Sequence, residues 1–494
     1  MVKRYRAAPL DILPIDRSAG EPLNRQLYFA IREAILDGRL KPGMRLPASR
    51  ALARDLNLSR NTVVVAFDQL LAEGYVEGRT GAGTFVSATL PEELLTIRAE
   101  RMGHRGGART GGPRLSKRGA SLSQMRPALP SRGEAFSSGL PELDLFPFDE
   151  WARLMSRHWR RPRREFLVGG DPAGFRPLRE ALAAYLAVAR AFDCDPDQVV
   201  IVSGAQQALD LAARVLIDPG DQVWVEDPGY PGVRGSLMAA GARLVPVPLD
   251  EQGLDVAEGI RVAPDARLAF VTPSHQYPLG VTMSLTRRLE LLQWARGADA
   301  VVLEDDYYSE YRYAGRPLAA LQGLDDDGRV IYVGTMSKVM FPGLRLGYMV
   351  IPSDLVDAFL GVRRLIDSHP SSAAQAALAE FIDQGYLAAH VRRMRALYAE
   401  RQSGLLSAAR ARLDGAMAIA PDESGMHLIG FLKGGRRDGP LSRAAAAEGI
   451  DLSPLSQFYL SAPPRHGVLL GYAGVGERKI RAGIDVLARL LDVP

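Results

Sequence analysis

Lys338 stands in the segment Gly334-Thr335-Met336-Ser337-Lys338, and Arg345 follows it by seven residues. An amine among hydroxyls and a guanidinium can act as a nucleophile or hold an anion. The segment follows the apolar run Val330-Ile331-Tyr332-Val333, and four other polar clusters follow four other apolar runs. They are Ser203-Gly204-Ala205-Gln206-Gln207, Glu226-Asp227-Pro228-Gly229-Tyr230-Pro231, Thr272-Pro273-Ser274-His275-Gln276-Tyr277-Pro278-Leu279-Gly280 and Glu304-Asp305-Asp306-Tyr307. Each has an inert reading by itself: a lysine after a strand is usually solvated, an Asp-Asp pair usually lies on a surface, and a tyrosine such as Tyr230 often fills a core. Ser337 beside Lys338 also admits a hydrolase dyad, but that accounts for none of the other four clusters.

The runs that carry these clusters are Val199-Val200-Ile201-Val202, Val223-Trp224-Val225, Leu268-Ala269-Phe270-Val271, Ala300-Val301-Val302-Leu303 and Val330-Ile331-Tyr332-Val333. They are short, unbroken and rich in β-branched residues, and they alternate with helical stretches. This predicts an α/β body over 135–494 with a mainly parallel central sheet. Ligand-binding groups in such sheets gather at the carboxyl ends of the strands, where the five clusters fall.

The chain has 494 residues, 47% hydrophobic and 24% charged, enough for two or three folded units. It holds no apolar run of about 18 residues, and Met1-Val2-Lys3-Arg4-Tyr5-Arg6 leads into no apolar signal core, so a cytoplasmic protein without a membrane partner is expected. The single cysteine, Cys194, excludes an intramolecular disulfide and a multi-cysteine metal site. The net charge of +4 is unevenly spread: residues 1–88 hold 13 Lys/Arg against 9 Asp/Glu, residues 89–134 hold 9 against 4, and the remainder holds 39 against 44. A basic N-terminal quarter on an acidic body suits a head that binds a polyanion, although solvated surface charge gives such numbers too.

In that basic quarter Leu27, Ile31 and Ile35 recur every four residues, with Ala30 and Ala34 widening the stripe, so a helix is predicted over Pro22 to Asp37. A second is predicted over Ser49 to Leu56 with Ser49 as its cap, and a third begins after the N-cap Ser59 and runs to about Glu73. Val63, Phe67, Leu70 and Leu71 are predicted to share its buried face, leaving Arg60, Asn61 and Thr62 free on the first turn, where a recognition helix meets base edges. Tyr75-Val76-Glu77 and Thr84-Phe85-Val86 flank Gly78-Arg79-Thr80-Gly81-Ala82-Gly83, a hairpin with a glycine-rich tip. Between Arg98 and Arg132 there are nine Lys/Arg, one acid and six glycines, which predicts a loosely held basic tether within a linker over 89–134.

The stretch Gly38-Arg39-Leu40-Lys41-Pro42-Gly43-Met44-Arg45-Leu46-Pro47-Ala48-Ser49-Arg50, with Leu58-Ser59-Arg60-Asn61-Thr62-Val63, closely resembles the winged helix-turn-helix of the GntR family of bacterial regulators. The resemblance covers about residues 20–87 and implies contact with double-stranded promoter DNA. The candidates are Arg50, Ser59, Arg60, Asn61 and Thr62, with Arg79, Gly81 and Gly83 in the wing. A helix-turn-helix used only for protein contact is the alternative.

The five clusters, in their order, resemble fold-type I pyridoxal-phosphate enzymes of the aspartate aminotransferase superfamily over about 360 residues. The resemblance implies pyridoxal 5'-phosphate as cofactor. It assigns the imine-forming amine to Lys338, the partner of the pyridine nitrogen to Asp305, a hydrogen bond to the ring's 3-oxygen to Tyr307 and ring stacking to Tyr230. It places the phosphate against Gly204, Ala205, Gln206, Thr335, Ser337 and Arg345.

The two resemblances in one chain are those of the MocR subfamily, also called GabR-type regulators. They imply a head-to-tail homodimer that senses the cofactor itself or an amino compound, with a sulfonate-bearing effector also open. Three departures from working aminotransferases stand out. The carboxylate-binding arginine near the C-terminus is replaced in Leu469-Leu470-Gly471-Tyr472, with Arg465 the nearest substitute. His275-Gln276-Tyr277-Pro278 replaces an Asn-Pro beside the ring, so that Gln276 or Tyr277 is left to supply the missing hydrogen bond. Gly169 stands where such enzymes often carry a tyrosine that reaches the partner's phosphate. Together these imply little or no turnover. A functional aminotransferase with an accessory head is the rival reading, and a scaffold that binds only DNA is a third.

Overall fold

The computed structural model describes residues 15–79, 81–90, 114–125, 134–313, 319–461 and 464–492. The chain divides into two compact units, residues 1–114 and 115–494.

In the N-terminal unit the predicted helices form as α1 (Leu23–Leu36), α2 (Ser49–Asp55) and α3 (Arg60–Ala72). Leu27, Ile31 and Ile35 of α1 pack with Val63, Phe67 and Leu70 of α3 in one core. Burying each such side chain contributes about 1.5–3 kcal/mol, which offsets the ordering of so small a unit. Two local expectations fail. Ser49 lies inside α2, whose N-cap is Ala48 without a side-chain cap bond. Leu71 is 48% exposed, because it sits at the rim of the α3 stripe and Ala66 takes the core position instead.

The hairpin is β1 (Val76–Arg79) and β2 (Gly83–Val86), in register from Val76 opposite Val86 to Arg79 opposite Gly83. Thr80, at its tip, lies outside the described residues. The segment before α2 joins the hairpin as a third strand-like edge: the Leu46 amide donates to Thr84 O at 2.9 Å, and the Val86 amide to Met44 O at 2.8 Å.

The second unit is built on an eight-stranded sheet of β3 (Val199–Val202), β4 (Gln222–Asp227), β5 (Arg243–Asp250), β6 (Gly253–Leu254), β7 (Leu268–Val271), β8 (Val301–Asp306), β9 (Val330–Thr335) and β10 (Gly347–Val350), in the order β3-β10-β9-β8-β7-β4-β5-β6. Strands β5, β4, β7, β8 and β9 are parallel, while β10 runs antiparallel to both its neighbours, so the sheet is mainly parallel as expected. Both faces are covered by apolar clusters, which is why its strands lack the apolar-polar alternation of a half-exposed sheet. The 28-residue helix Tyr386–Leu413 leads to an antiparallel sheet of β11 (Met417–Ile419), β12 (His427–Leu432), β13 (Ser453–Pro454) and β14 (Gly467–Gly471).

Part of the stretch expected to be a loose tether is ordered. Lys117–Gln124 is a helix, and Ser116 Oγ accepts from its Gly119 amide at 2.9 Å. It docks on the helix Pro231–Ala240: Arg118 Nη1 donates to Ala239 O at 3.0 Å, and Met125 lies beside Gly235. Its basic composition hides the half-buried side formed by Gly119, Ala120, Leu122 and Met125. Residues 91–113 and 126–133 of that stretch lie outside the described residues. Replacing Arg118 by Ala together with Met125 by Gly is expected to release this helix and raise the rate of tryptic cleavage after Lys117 several-fold. Equal cleavage of variant and parent would show that the docking contributes nothing in solution.

Candidate cofactor cavity and nucleic-acid interface

The carboxyl ends of β3, β7, β8 and β9 open onto one cavity of about 270 Å³. All ten body residues singled out from sequence line it: Gly204, Ala205, Gln206, Tyr230, Asp305, Tyr307, Thr335, Ser337, Lys338 and Arg345.

Lys338 follows β9, and its Nζ donates to Gly139 O at 2.8 Å. Burial lowers its pKa to about 8, with the nearby Asp305 charge opposing the shift. Asp305 projects from β8 into the same space. Burial, then the neighbouring carboxylates of Asp306 and Glu226, raise its pKa to about 7. Its Oδ1 is buried with no hydrogen-bond partner among the described residues, and so is Tyr307 Oη. Burial holds the Tyr307 phenol protonated. An unpartnered buried acceptor costs about 1–3 kcal/mol. Two such atoms facing one cavity call for a ligand that supplies an N–H to the carboxylate and an acceptor to the phenol.

The other end of the cavity suits an anion. Gly204, at φ +122°, caps the helix Ala205–Leu216 and turns its first amides toward the space. The Arg345 guanidinium stands 3.6 Å from where a Cβ on Gly204 would lie. Arg345 itself adopts the left-handed region at φ 53° and ψ 46°, at a cost of about 1–2 kcal/mol for a side-chain-bearing residue. Thr335 and Ser337 add hydroxyls, and Thr335 Oγ1 accepts from the Ser337 amide at 3.2 Å.

Tyr230 caps the helix Pro231–Ala240, and burial pushes its phenol up to about 12. Gly232 is required beside it, because a Cβ there would fall 2.4 Å from the Tyr230 ring. Gln206 Nε2 ties this helix to the phosphate end through Ser236 Oγ at 2.8 Å.

The three departures resolve differently. The Gln276 side chain is consumed on Glu226 Oε2 at 3.0 Å and Pro228 O at 2.9 Å, whereas Tyr277 lines the cavity. Leu469 is fully buried with Ile429, Leu455 and Phe458. Arg465 lies over the Phe431 ring at 3.9 Å and takes no part in the cavity wall. Gly169 is not on the cavity wall either; its neighbour Gly170 donates its amide to His369 Nε2 at 2.8 Å.

In the N-terminal unit Arg50, Arg60 and Asn61 are exposed. Thr62 is half-buried, and its amide donates to Ser59 Oγ at 3.0 Å while the two hydroxyls pair at 2.7 Å. Ser59 is therefore occupied as the helix cap, and Thr62 is less free than expected. Arg79 is held over the Phe85 ring at 4.6 Å and paired with Glu77 at 2.6 Å, so it must exchange that carboxylate to meet a phosphate. Gly81 and Gly83 have φ of +74° and +111°, and a Cβ on Gly83 would approach Arg45 Nε to 3.0 Å. Arg45 is thus a wing residue that the sequence reading passed over, because the third edge was not foreseen.

The family of aminotransferases class I and II matches residues 135–486, and the bacterial regulatory proteins of the gntR family match residues 23–86. The probable rhizopine catabolism regulatory protein MocR of Rhizobium meliloti is 46% identical over 96% of this chain and 95% of its own length. The transcriptional regulator TauR of Rhodobacter capsulatus is 34% identical over 95% of this chain and 96% of its own. Among solved structures, a kynurenine aminotransferase of Pyrococcus horikoshii aligns at a TM-score of 0.70 and 30% identity, covering 76% of this chain and 96% of that one. The chain is a MocR-type member of the GntR family of regulators.

The body of this MocR-type regulator is a pyridoxal 5'-phosphate-binding fold. The cavity fits that group: a ring N–H would complete Asp305, a ring oxygen would accept a hydrogen bond from the Tyr307 hydroxyl, and the anion end suits its phosphate. Among the described residues no group of side chains could hold a metal ion, and no helix is long and apolar enough to cross a membrane. Sequence reasoning missed Gly139. Its φ of +75° and its carbonyl on Lys338 fix the cavity wall, and a Cβ there would fall 2.5 Å from Lys338 Nζ. Only a Ser-Ser-Gly-Leu-Pro turn signal marks it in the sequence.

Gly139→Ala is therefore expected to weaken cofactor binding by about tenfold or more, read as loss of visible absorbance in an equilibrium titration. Because the neutral amine is the reactive form, the rate at which Lys338 captures the cofactor should rise about tenfold between about pH 7 and pH 9 and then level off. A rate still climbing steeply above about pH 10 would place Lys338 in solvent. For the head, Arg60→Ala or Asn61→Ala is expected to cost about 1–3 kcal/mol of sequence-specific binding in a fluorescence anisotropy titration. Arg50→Ala should weaken binding to all sequences and reduce the salt slope by about one.

Proposed function

We propose that this regulator binds promoter DNA through its winged helix as a head-to-tail homodimer in the bacterial cytoplasm, where it associates with the nucleoid. Its body reads the state of a pyridoxal 5'-phosphate cofactor and carries out little or no turnover. The observation that carries this reading is the convergence of ten residues from five separate segments on one cavity, in a chain that also holds a helix-turn-helix. The domain limits 1–88, 89–134 and 135–494 belong to the same reading, with residues 115–125 of the linker attached to the body. Large apolar side chains left exposed on the body support the dimer: Trp159 at 55%, Leu167 at 63%, Val168 at 70% and Leu365 at 87%.

When bound, the cofactor supplies an aldehyde that reacts reversibly with primary amines. Lys338 is the resident amine, held toward the reacting position by Gly139 O. Asp305 would keep the ring nitrogen protonated. Tyr307 would donate a hydrogen bond to the ring oxygen, Tyr230 would cover a ring face, and Thr335, Ser337, Arg345 and the amides after Gly204 would hold the phosphate. A small molecule that occupies the cavity beside Lys338 would alter the contacts of Tyr230, whose helix carries the docked segment Lys117–Gln124. That segment leads back toward the head in the sequence, which gives ligand state a covalent path to DNA binding.

The functional aminotransferase remains the rival, supported by the resemblance of the body to working enzymes. The two readings separate in one preparation. The regulator predicts that adding cofactor or amine changes affinity for the upstream DNA about 5–150-fold, and that Lys338→Ala abolishes the change. Affinity indifferent to both additions removes the sensor, and steady conversion of an amino acid and a keto acid restores the enzyme.

A further inference from the structure

A lysine has a long, flexible stem, yet Lys338 Nζ meets one acceptor, Gly139 O at 2.8 Å, across 199 residues of sequence. Keeping that bond requires the turn after β9 and the loop at Gly139 to be fixed relative to one another. Arg395, Tyr398 and Arg401 follow at three-residue spacing along one side of the helix Tyr386–Leu413, and they reach both segments. Arg395 donates twice to Glu310 O, from Nε at 3.0 Å and Nη2 at 2.9 Å, and so holds the short turn Ser309–Tyr311 after β8. The Tyr398 ring packs edge-on against Tyr311, with centroids 4.9 Å apart.

From that seat Tyr311 Oη donates to Lys338 O at 3.2 Å, with Val339 O at 3.4 Å as a second acceptor. No backbone amide among the described residues donates to Lys338 O. On the other side of the ring pair Tyr398 Oη accepts the Glu142 amide at 2.8 Å, and Arg401 holds the Glu142 carboxylate at 2.5 Å. Glu142 stands three residues after Gly139. Both tyrosines are fully buried, where a hydrogen bond is stronger than in water. Neither is on the wall of the cofactor cavity.

We propose that Tyr311 and Tyr398 are positioning residues for Lys338: Tyr311 fixes the backbone that carries the amine, Tyr398 fixes the loop that carries its acceptor, and their ring contact locks the two together. This rests on Lys338 being the resident amine. Its consequence is confined to the aldehyde form of the cofactor. Capture forms a bond from Nζ to the aldehyde carbon and releases the carbonyl oxygen as water, with no change of oxidation state. Pyridoxamine phosphate has the same ring and phosphate but an amine in place of the aldehyde, so it forms no bond to Lys338.

The test compares the two forms on the full-length protein by titration calorimetry, with capture of the aldehyde followed by visible absorbance. Tyr311→Phe keeps the ring and removes only its hydroxyl. It is expected to weaken pyridoxal 5'-phosphate about threefold to tenfold, to slow its capture by a similar factor, and to leave pyridoxamine phosphate within about twofold of the parent. Tyr398→Phe is expected to do the same, and either variant suffices if the other does not fold. The double variant should lose little more than each single one, since both substitutions break one brace. Equal weakening of the two cofactor forms marks a general loosening of the fold and overturns the proposal. So does an unchanged affinity and rate for the aldehyde, or a double loss equal to the product of the single ones. Lys338→Ala tests the reading beneath: if it leaves pyridoxal 5'-phosphate bound as in the parent, the amine assignment fails and the brace fails with it.

Discussion

Three consecutive acids, Glu304, Asp305 and Asp306, end β8 inside the protein, and their separate fates determine what the cavity can hold. Alternation along a strand sends Glu304 and Asp306 to one face and Asp305 to the other. Glu304 accepts the amides of Leu321 and Gln322, both at 2.9 Å. Asp306 meets Arg190 at 2.6 Å and Tyr332 Oη at 2.6 Å. Asp305 alone is left with an unpartnered oxygen, and only Lys338 offsets its charge. A buried carboxylate in that position either stays protonated or waits for a cationic N–H, which a protonated ring nitrogen would supply.

The rest of the cavity follows from that demand. A ring seated on Asp305 needs a face covered and its substituents received, and the strand order brings Tyr230, Tyr307 and the Arg345 end within one cavity although they are distant in sequence. Parallel strands make this economical, because every carboxyl end opens on the same edge of the sheet. Glu226, buried beneath, is satisfied by the Thr272 amide at 3.0 Å, the Thr272 hydroxyl at 2.7 Å and Gln276 at 3.0 Å. Those bonds commit Gln276 to holding the floor, so Tyr277 is the residue of that cluster on the cavity wall.

Much of this was legible in the sequence because it depends on local order: unbroken apolar runs mark buried strands, and the residues just after them must lie at strand ends. What was not legible depends on contacts between distant segments. Gly139 matters only because Lys338, 199 residues away, needs its carbonyl and the room its missing side chain leaves. The third edge of the wing comes from Met44 to Leu46, whose pairing with β2 leaves no alternating pattern to read. The helix Lys117–Gln124 was hidden by its charge, since its apolar side is only half-buried and has meaning only against Gly235 and Ala239. Leu71 was misplaced because a helical stripe marks which residues can be buried, while the neighbouring elements decide which ones are.

The same distinction bears on the proposed sensor role. On the proposed reading, holding the cofactor takes Asp305, Lys338 and the Arg345 end, which line one cavity. Processing an amino acid also needs a cation that recognises its carboxylate, and Leu469, Ile429, Leu455 and Phe458 form a closed apolar cluster behind Tyr277. Placing a guanidinium there would bury an unpaired charge among aliphatic side chains, so the cluster and a carboxylate clamp at that position exclude one another. Nor can Arg465 substitute without leaving the Phe431 ring on which it rests. On the sensor reading proposed above, a body that keeps the cofactor's partners and fills the clamp position with packed hydrocarbon would retain reversible amine chemistry without the grip that selects an amino acid for turnover.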